Sequence, residues 1–138
     1  MLIRTCMAKI HRATVTQADL NYVGSITIDE VLLEASGIKP FQYVNITNCS
    51  NGVFWQTYAI AGPRGNGDMC LNGPPARHFQ AGDTIIVLAE AWVEPQELAT
   101  LNPVVVFVDG KNHVTEVKKH RAVPIETAAL QTPQGRIG

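Results

Sequence analysis

The chain is 138 residues long, the size of one domain, and 46% hydrophobic against 17% charged residues excludes a disordered protein. Eleven basic and twelve acidic residues leave a net charge of −1 with no basic stripe, so no nucleic acid or other polyion is expected as a partner. Three scattered cysteines (Cys6, Cys49, Cys70), no apolar run of membrane length, and an N-terminus interrupted by Arg4 and Lys9 predict a cytoplasmic, metal-free single domain over 1–138 without membrane contact.

Leu2 to Thr16 mixes β-branched and apolar residues with polar ones, without Gly or Pro, and predicts one or two strands. Asp29 is placed to cap a short helix with Val31, Leu32 and Ala35 on its apolar face, ended by Gly37 and Pro40. Tyr43 to Thr47 alternates, Asn51-Gly52 marks a hairpin turn, and Val53 to Ile60 returns as the partner strand. Gly62 to Asp68 is a loop; it lacks the strand–glycine–helix setting and the Lys-Ser/Thr of a phosphate loop. Met69 to Leu71 reads as a very short strand and Asn72-Gly73-Pro74-Pro75 as a rigid break. Thr84 to Val93 is a long buried strand, Pro95 to Ala99 a helical turn, and Val104 to Val108 a further strand. Asp109 to Asn112 turns into a last strand over His113 to Val117, and 118–138 fades into a frayed tail. Six or more short strands with small helices predict a mainly β chain closed as a barrel, because closure removes exposed edges.

Taken singly, the polar residues announce little chemistry. His11, His78, His113 and His120 are dispersed, without the spacing of a metal pair, and each reads as structural or solvated. Cys49 and Cys70 read as small apolar groups, and Gly24-Ser25 as an ordinary turn.

The combination is more telling. Lys9-Ile10-His11-Arg12-Ala13-Thr14-Val15-Thr16, followed by Ala18-Asp19-Leu20 and Tyr22-Val23-Gly24-Ser25-Ile26-Thr27-Ile28-Asp29, resembles the start of the aspartate 1-decarboxylase family. The resemblance continues through Ala35-Ser36-Gly37-Ile38, Asn51-Gly52, Thr57-Tyr58-Ala59-Ile60, Arg64-Gly65, Asn72-Gly73 and Gly82-Asp83. It resumes at Pro103 and Phe107 to Asn112, leaving only the C-terminal stretch unmatched.

The resemblance implies a six-stranded double-psi β-barrel with small helices, a homotetramer with active sites between subunits, and a pyruvoyl cofactor made from Ser25. Neither metal nor pyridoxal phosphate is then needed. Cleavage between Gly24 and Ser25 would leave a β chain of residues 1–24 and an α chain of 25–138. Serine suits this step because its hydroxyl is first nucleophile and then leaving group; glycine tolerates unusual backbone angles and close approach. The cofactor would condense with the substrate amine as a Schiff base and accept the electrons released with CO2. By the same resemblance Tyr58 protonates the product, Thr57 hydrogen-bonds the scissile carbonyl, and Asn72 orients the pyruvoyl region. Lys9 meets a substrate carboxylate, and His11 and Tyr22 flank the site. Thr57 and Tyr58 are neighbours on a strand and face opposite ways, so both serve one site only near a bend or a subunit boundary. Whether cleavage is spontaneous or needs a maturation factor is open, as is whether the product feeds pantothenate biosynthesis or a specialised pathway.

Two departures from the family pattern concern the substrate pocket, where Phe54, Thr57, Gly73, Pro74 and Pro75 are the candidate lining. Phe54 stands where the family carries an arginine that clamps the side-chain carboxylate of aspartate; losing such a contact costs about 1.5–3 kcal/mol of binding. Pro74 and Pro75 replace residues whose backbone N–H groups face the substrate, and proline has none. The anchors Asn51-Gly52 and Thr57-Tyr58 disfavour a register slip that would make Arg64 or Arg77 the clamp. Three readings follow: a decarboxylase of aspartate, the same chemistry on a more apolar amino acid, or an uncleaved barrel that only binds or assembles.

Overall fold

The computed structural model describes residues 1–21 and 24–121. Strand β1 (Ile3–Thr14) buries Ala8, Ile10 and Ala13 and turns Lys9 and His11 away from the core. A bulge between Ile10 and Ala13, with Arg12 at φ 60°, resets the alternation so that Ala13 again faces inward. After the three residues of β2 (Gln17–Asp19), β3 (Ser25–Asp29) sends Ile26 and Ile28 into the core. Helix α1 (Glu30–Ser36) follows at once, and its ends are the expected ones. The Asp29 carboxylate accepts the Val31 N–H at 2.8 Å, while Gly37, at φ 79°, donates its N–H to Leu33 O at 2.8 Å.

Strands β4 (Tyr43–Asn48) and β5 (Phe54–Gly62) form the expected hairpin. Its connection is longer than a two-residue turn: Asn48 N–H reaches Val53 O, and Gly52, at φ 77°, bonds back to Asn48 O. Next come β6 (Met69–Asn72), a 3₁₀ turn at Pro74–Arg77, β7 (Thr84–Val93) and a second 3₁₀ turn at Pro95–Ala99. Strands β8 (Val104–Val108) and β9 (Val114–Lys119) complete the described chain. The expected tail therefore starts too early at 118: Lys118 and Lys119 pair with Val105 and Val104, and His120 N–H bonds to Pro103 O. The rest of that expected tail, 122–138, and the site candidate Tyr22 lie outside the described residues.

The ladder runs β2-β6-β3-β5-β4-β7-β1-β8-β9, with β1/β8, β2/β6 and β3/β5 parallel. Nine strands are paired among the described residues rather than six. The three-residue β2 at one edge and the β8–β9 hairpin at the other extend the count. Only Val15 and Thr16 separate β1 from β2, yet the two strands stand six places apart in the ladder. The sheet must therefore curl, giving a mainly β chain shaped as a small barrel around Ile10, Ile26, Ile28, Ile46, Leu71 and Val87.

Polar groups hold the curl closed. Thr16 N–H bonds to Met69 O at 2.9 Å, and the Thr16 hydroxyl accepts Met69 N–H at 2.9 Å. Asn112, buried and at φ 62°, accepts Thr14 N–H at 2.8 Å and donates to Thr14 O at 2.8 Å and Gly67 O at 2.9 Å. A side chain at Gly67 would sit 2.5 Å from Lys111 O, so this approach requires glycine. The same stretch of the 62–68 loop is tied to buried Asp29, which besides Val31 N–H accepts Gly65 N–H at 3.0 Å and Gly67 N–H at 2.7 Å. Burial pushes the Asp29 carboxyl pKa up, but these three N–H donors and the charge of Arg64 outweigh it and hold it below the usual range.

Replacing Asn112 by alanine strands one N–H and two carbonyls at the closure. Asn112→Ala is expected to cost at least about 3 kcal/mol, from about 1–3 kcal/mol for each of the three unsatisfied groups. Urea unfolding measures it; an unchanged midpoint would show that Asn112 does not hold the barrel closed.

Candidate active site

The Gly24–Ser25 junction sits where β3 begins. Antiparallel pairing with β6 puts Ser25 opposite Asn72 and Thr27 opposite Cys70. Since Ile26, Ile28, Met69 and Leu71 fill the core, Ser25, Thr27, Cys70 and Asn72 share the opposite face of the two strands. That face is closed over here: Ser25 is 2% and Asn72 5% exposed. The Asn72 amide nitrogen donates to Ser25 Oγ at 3.0 Å and to Thr27 Oγ1 at 2.9 Å. Gly24 packs nearby; a methyl built on it would meet Pro74 Cδ at 3.7 Å and Asn72 O at 4.0 Å, both ordinary contacts. Space alone therefore does not demand glycine at 24.

Parallel pairing of β3 with β5 puts Ile26 beside Ala59, and one step back the same register brings Ser25 level with Tyr58. Tyr58 lies on the non-core face with Ser25, whereas Thr57 pairs with Val44 and is buried on the core side. The two neighbours thus point to opposite sides of β5, and only Tyr58 shares a face with Ser25. Phe41 and Tyr43 hold the Tyr58 ring: Phe41 stacks on it at 5.8 Å between centroids, and Tyr43 leans on it at 6.3 Å. Phe41 is 73% exposed and adopts φ 69°, an unfavourable backbone for a bulky residue. It is anchored by its N–H to Ala59 O at 2.6 Å. Sequence reasoning missed Phe41, because a positive φ at a non-glycine leaves no pattern in composition or periodicity.

Phe54 also lies on the Tyr58 face, opposite Thr47 and 58% exposed. Gly73, at φ 79° and ψ −144°, is confined to glycine's region and donates to Asp19 O at 2.7 Å. Pro74 and Pro75 then occupy the first turn of the 3₁₀ segment, where missing N–H groups break no helical bond. Arg64 is engaged on the surface by Glu34 and, at 3.5 Å, by Glu30. It does not substitute for the expected carboxylate clamp.

Lys9 and His11 are not beside Ser25 in the ladder. They lie on β1, four places from β3 in the ladder through β5, β4 and β7. His11 packs edge-on against Phe107 at 5.5 Å, and its buried Nδ1 has no hydrogen-bond partner among the described residues. Burial, with Lys9 and Arg12 adding repulsion, lowers its pKa. Among the described residues no group of three or more His, Cys, Asp or Glu side chains is gathered to hold a metal, and no helix is long and apolar enough to cross a membrane.

A buried serine after glycine, held by an asparagine across a strand pair, is the setting in which relatives become informative. The aspartate decarboxylase family model matches residues 1–115. The chain belongs to that family. It is 48% identical over 122 residues to an aspartate 1-decarboxylase of Pelotomaculum thermopropionicum, covering 88% of this chain and 92% of the relative. It is 53% identical over 116 residues to one of Lactiplantibacillus plantarum, covering 84% and 89%. A third aspartate 1-decarboxylase, of Carboxydothermus hydrogenoformans, is 51% identical over 119 residues, covering 86% and 94%. Membership makes this aspartate decarboxylase homologue a carboxy-lyase by kind, and Ser25, Tyr58 and Asn72 the residues to weigh first.

Proposed function

We propose that the chain is a self-processing, pyruvoyl-dependent α-decarboxylase that converts L-aspartate to β-alanine and CO2. The observation that carries this reading is the buried Ser25 hydroxyl, held by the Asn72 amide immediately after Gly24. Maturation begins when Ser25 Oγ attacks the Gly24 carbonyl carbon. The O–C bond forms, the C–N bond breaks, and the hydroxyl proton passes to the freed nitrogen. Loss of the Ser25 α-proton then breaks the Cβ–Oγ bond and releases Gly24 as a carboxylate. Water replaces the resulting dehydroalanine nitrogen, which leaves as ammonia. The Asn72 N–H helps at both stages, since negative charge builds on Oγ as its proton departs and again as it leaves with the carboxylate.

The fit of such a group here rests on that buried hydroxyl and on Tyr58, level with it on the same face. A pyruvoyl end group supplies an electrophilic carbon for the substrate amine and a sink for the electrons released with CO2. Tyr58 delivers the proton that replaces the lost carboxyl group, its ring kept in place by Phe41 and Tyr43. Thr57, which faces away from Ser25 within its own chain, is assigned to the scissile carbonyl across a subunit boundary, and Gly73 to the pocket wall with Pro74 and Pro75. Lys9, His11 and Tyr22 are assigned to the site of a neighbouring copy in a homotetramer. That β1, which carries Lys9 and His11, is paired with neither β3 nor β5 is the observation in favour of an intersubunit site.

One observation favours a second reading. Phe54 presents an exposed ring on the Tyr58 face while Arg64 is occupied on α1, which suits an amino acid lacking a second carboxylate. Purified protein is expected to release CO2 from L-aspartate, to lose this in Ser25→Ala, and to slow by about 10²–10⁴-fold in Tyr58→Phe. Faster release from an apolar amino acid would transfer the assignment to the second reading; no release from either would leave a binding barrel. For the intersubunit site, Lys9→Ala and Tyr58→Phe chains refolded together should recover activity that neither has alone. Failure to complement would place both groups in one subunit's site.

A further inference from the structure

We propose that Thr27 is a positioning residue for the Ser25 centre, acting through the Asn72 amide, and that Gly62 keeps Thr27 in the rotamer this requires. The inference rests on the self-processing reading above. A terminal asparagine amide turns easily, because its last torsion has broad wells. With Ser25 as its sole partner, the Asn72 amide would swing, or flip to present its oxygen, and the serine would lose its donor. Here one nitrogen serves two hydroxyls, Ser25 Oγ at 3.0 Å and Thr27 Oγ1 at 2.9 Å. Its two hydrogens diverge in the amide plane, so engaging both fixes the plane and aims one at Ser25 Oγ.

Thr27 is itself held. Ser25 and Thr27 are two apart on β3, so both face Asn72 from one strand while Ile26 between them points into the core. A Cβ built on Gly62 would lie 2.9 Å from Thr27 Cγ2 and 3.2 Å from Asp68 Oδ2. Gly62 does not have a positive φ, so glycine is there for space and not for backbone freedom. The Thr27 methyl fills the volume a larger residue would occupy. Threonine's stiff first torsion then leaves its hydroxyl on the Asn72 side.

The test follows Gly24–Ser25 cleavage by mass spectrometry in freshly folded precursor. Thr27→Val keeps the shape and removes the acceptor; it should cleave about tenfold more slowly with its unfolding midpoint preserved. Thr27→Ser restores the hydroxyl and should recover most of the rate, which a purely structural role would not predict. Gly62→Ala, which crowds the methyl, should slow cleavage as well. A second readout covers a Thr27→Val chain that folds poorly: in wild-type precursor the Asn72 side-chain amide should show slowed hydrogen exchange by NMR, and Thr27→Ser should keep it. Equal rates in wild type and Thr27→Val, or an unprotected Asn72 amide in wild type, overturn the role of Thr27 and leave self-processing intact. A wild-type chain that never cleaves overturns both.

Discussion

The antiparallel pairing of Ser25 with Asn72 brings a hydroxyl and an amide together on the non-core face of two strands, away from water. In such a setting a hydrogen bond is electrostatically stronger than in solvent, and leaving it unmade costs more. A slip of one residue along β6 would put Leu71 opposite Ser25 and turn Asn72 into the core. The chemistry therefore depends on register, which the buried Ile26, Ile28, Met69 and Leu71 enforce from the other side of the same strands.

Register depends in turn on closure. β3 and β6 stand near one end of the ladder and β1 near the other, so nothing in their pairing keeps the ends together. Asn112 and Thr16 do so with side-chain hydrogen bonds, and Asp29 fastens the loop that delivers β6. These three residues are short, polar and bonded mainly to backbone. They take the place of ladder bonds where the curled sheet cannot form them. One carboxylate, Asp29, thus caps α1, ties down residues 65 and 67, and ends the strand that carries Ser25. Frame and centre are mechanically one piece.

Local pattern makes much of this frame legible in the sequence. The hairpin around Asn51-Gly52, the apolar run at Thr84–Val93, the 3₁₀ turn at Pro95–Ala99 and both ends of α1 are where turn chemistry and periodicity put them. Strand β3 went unread, although Ile26 and Ile28 alternate with Ser25 and Thr27. Five residues between a glycine and a helix cap offer too short a window for periodicity. That omission hid Thr27, whose role appears only once Ser25 and Thr27 are seen on one face. Strand β9 also runs further than its composition suggests, because charged Lys118 and Lys119 resemble a tail but are edge residues paired to β8. At the centre, family likeness names Ser25, Tyr58 and Asn72, and strand alternation sets Thr57 and Tyr58 on opposite faces; which of the two shares the Ser25 face, and that Lys9 lies on a strand not paired with β3, needed the ladder.

If Ser25 breaks its own bond to Gly24 and ends as a ketone, the intact mass of the purified chain records it. The account predicts two species, 1–24 and 25–138, the larger one lighter by one ammonia than a serine-ended chain and reactive toward a hydrazine. A single uncleaved chain with an ordinary serine at 25, persisting after prolonged incubation with and without cell extract, would contradict it.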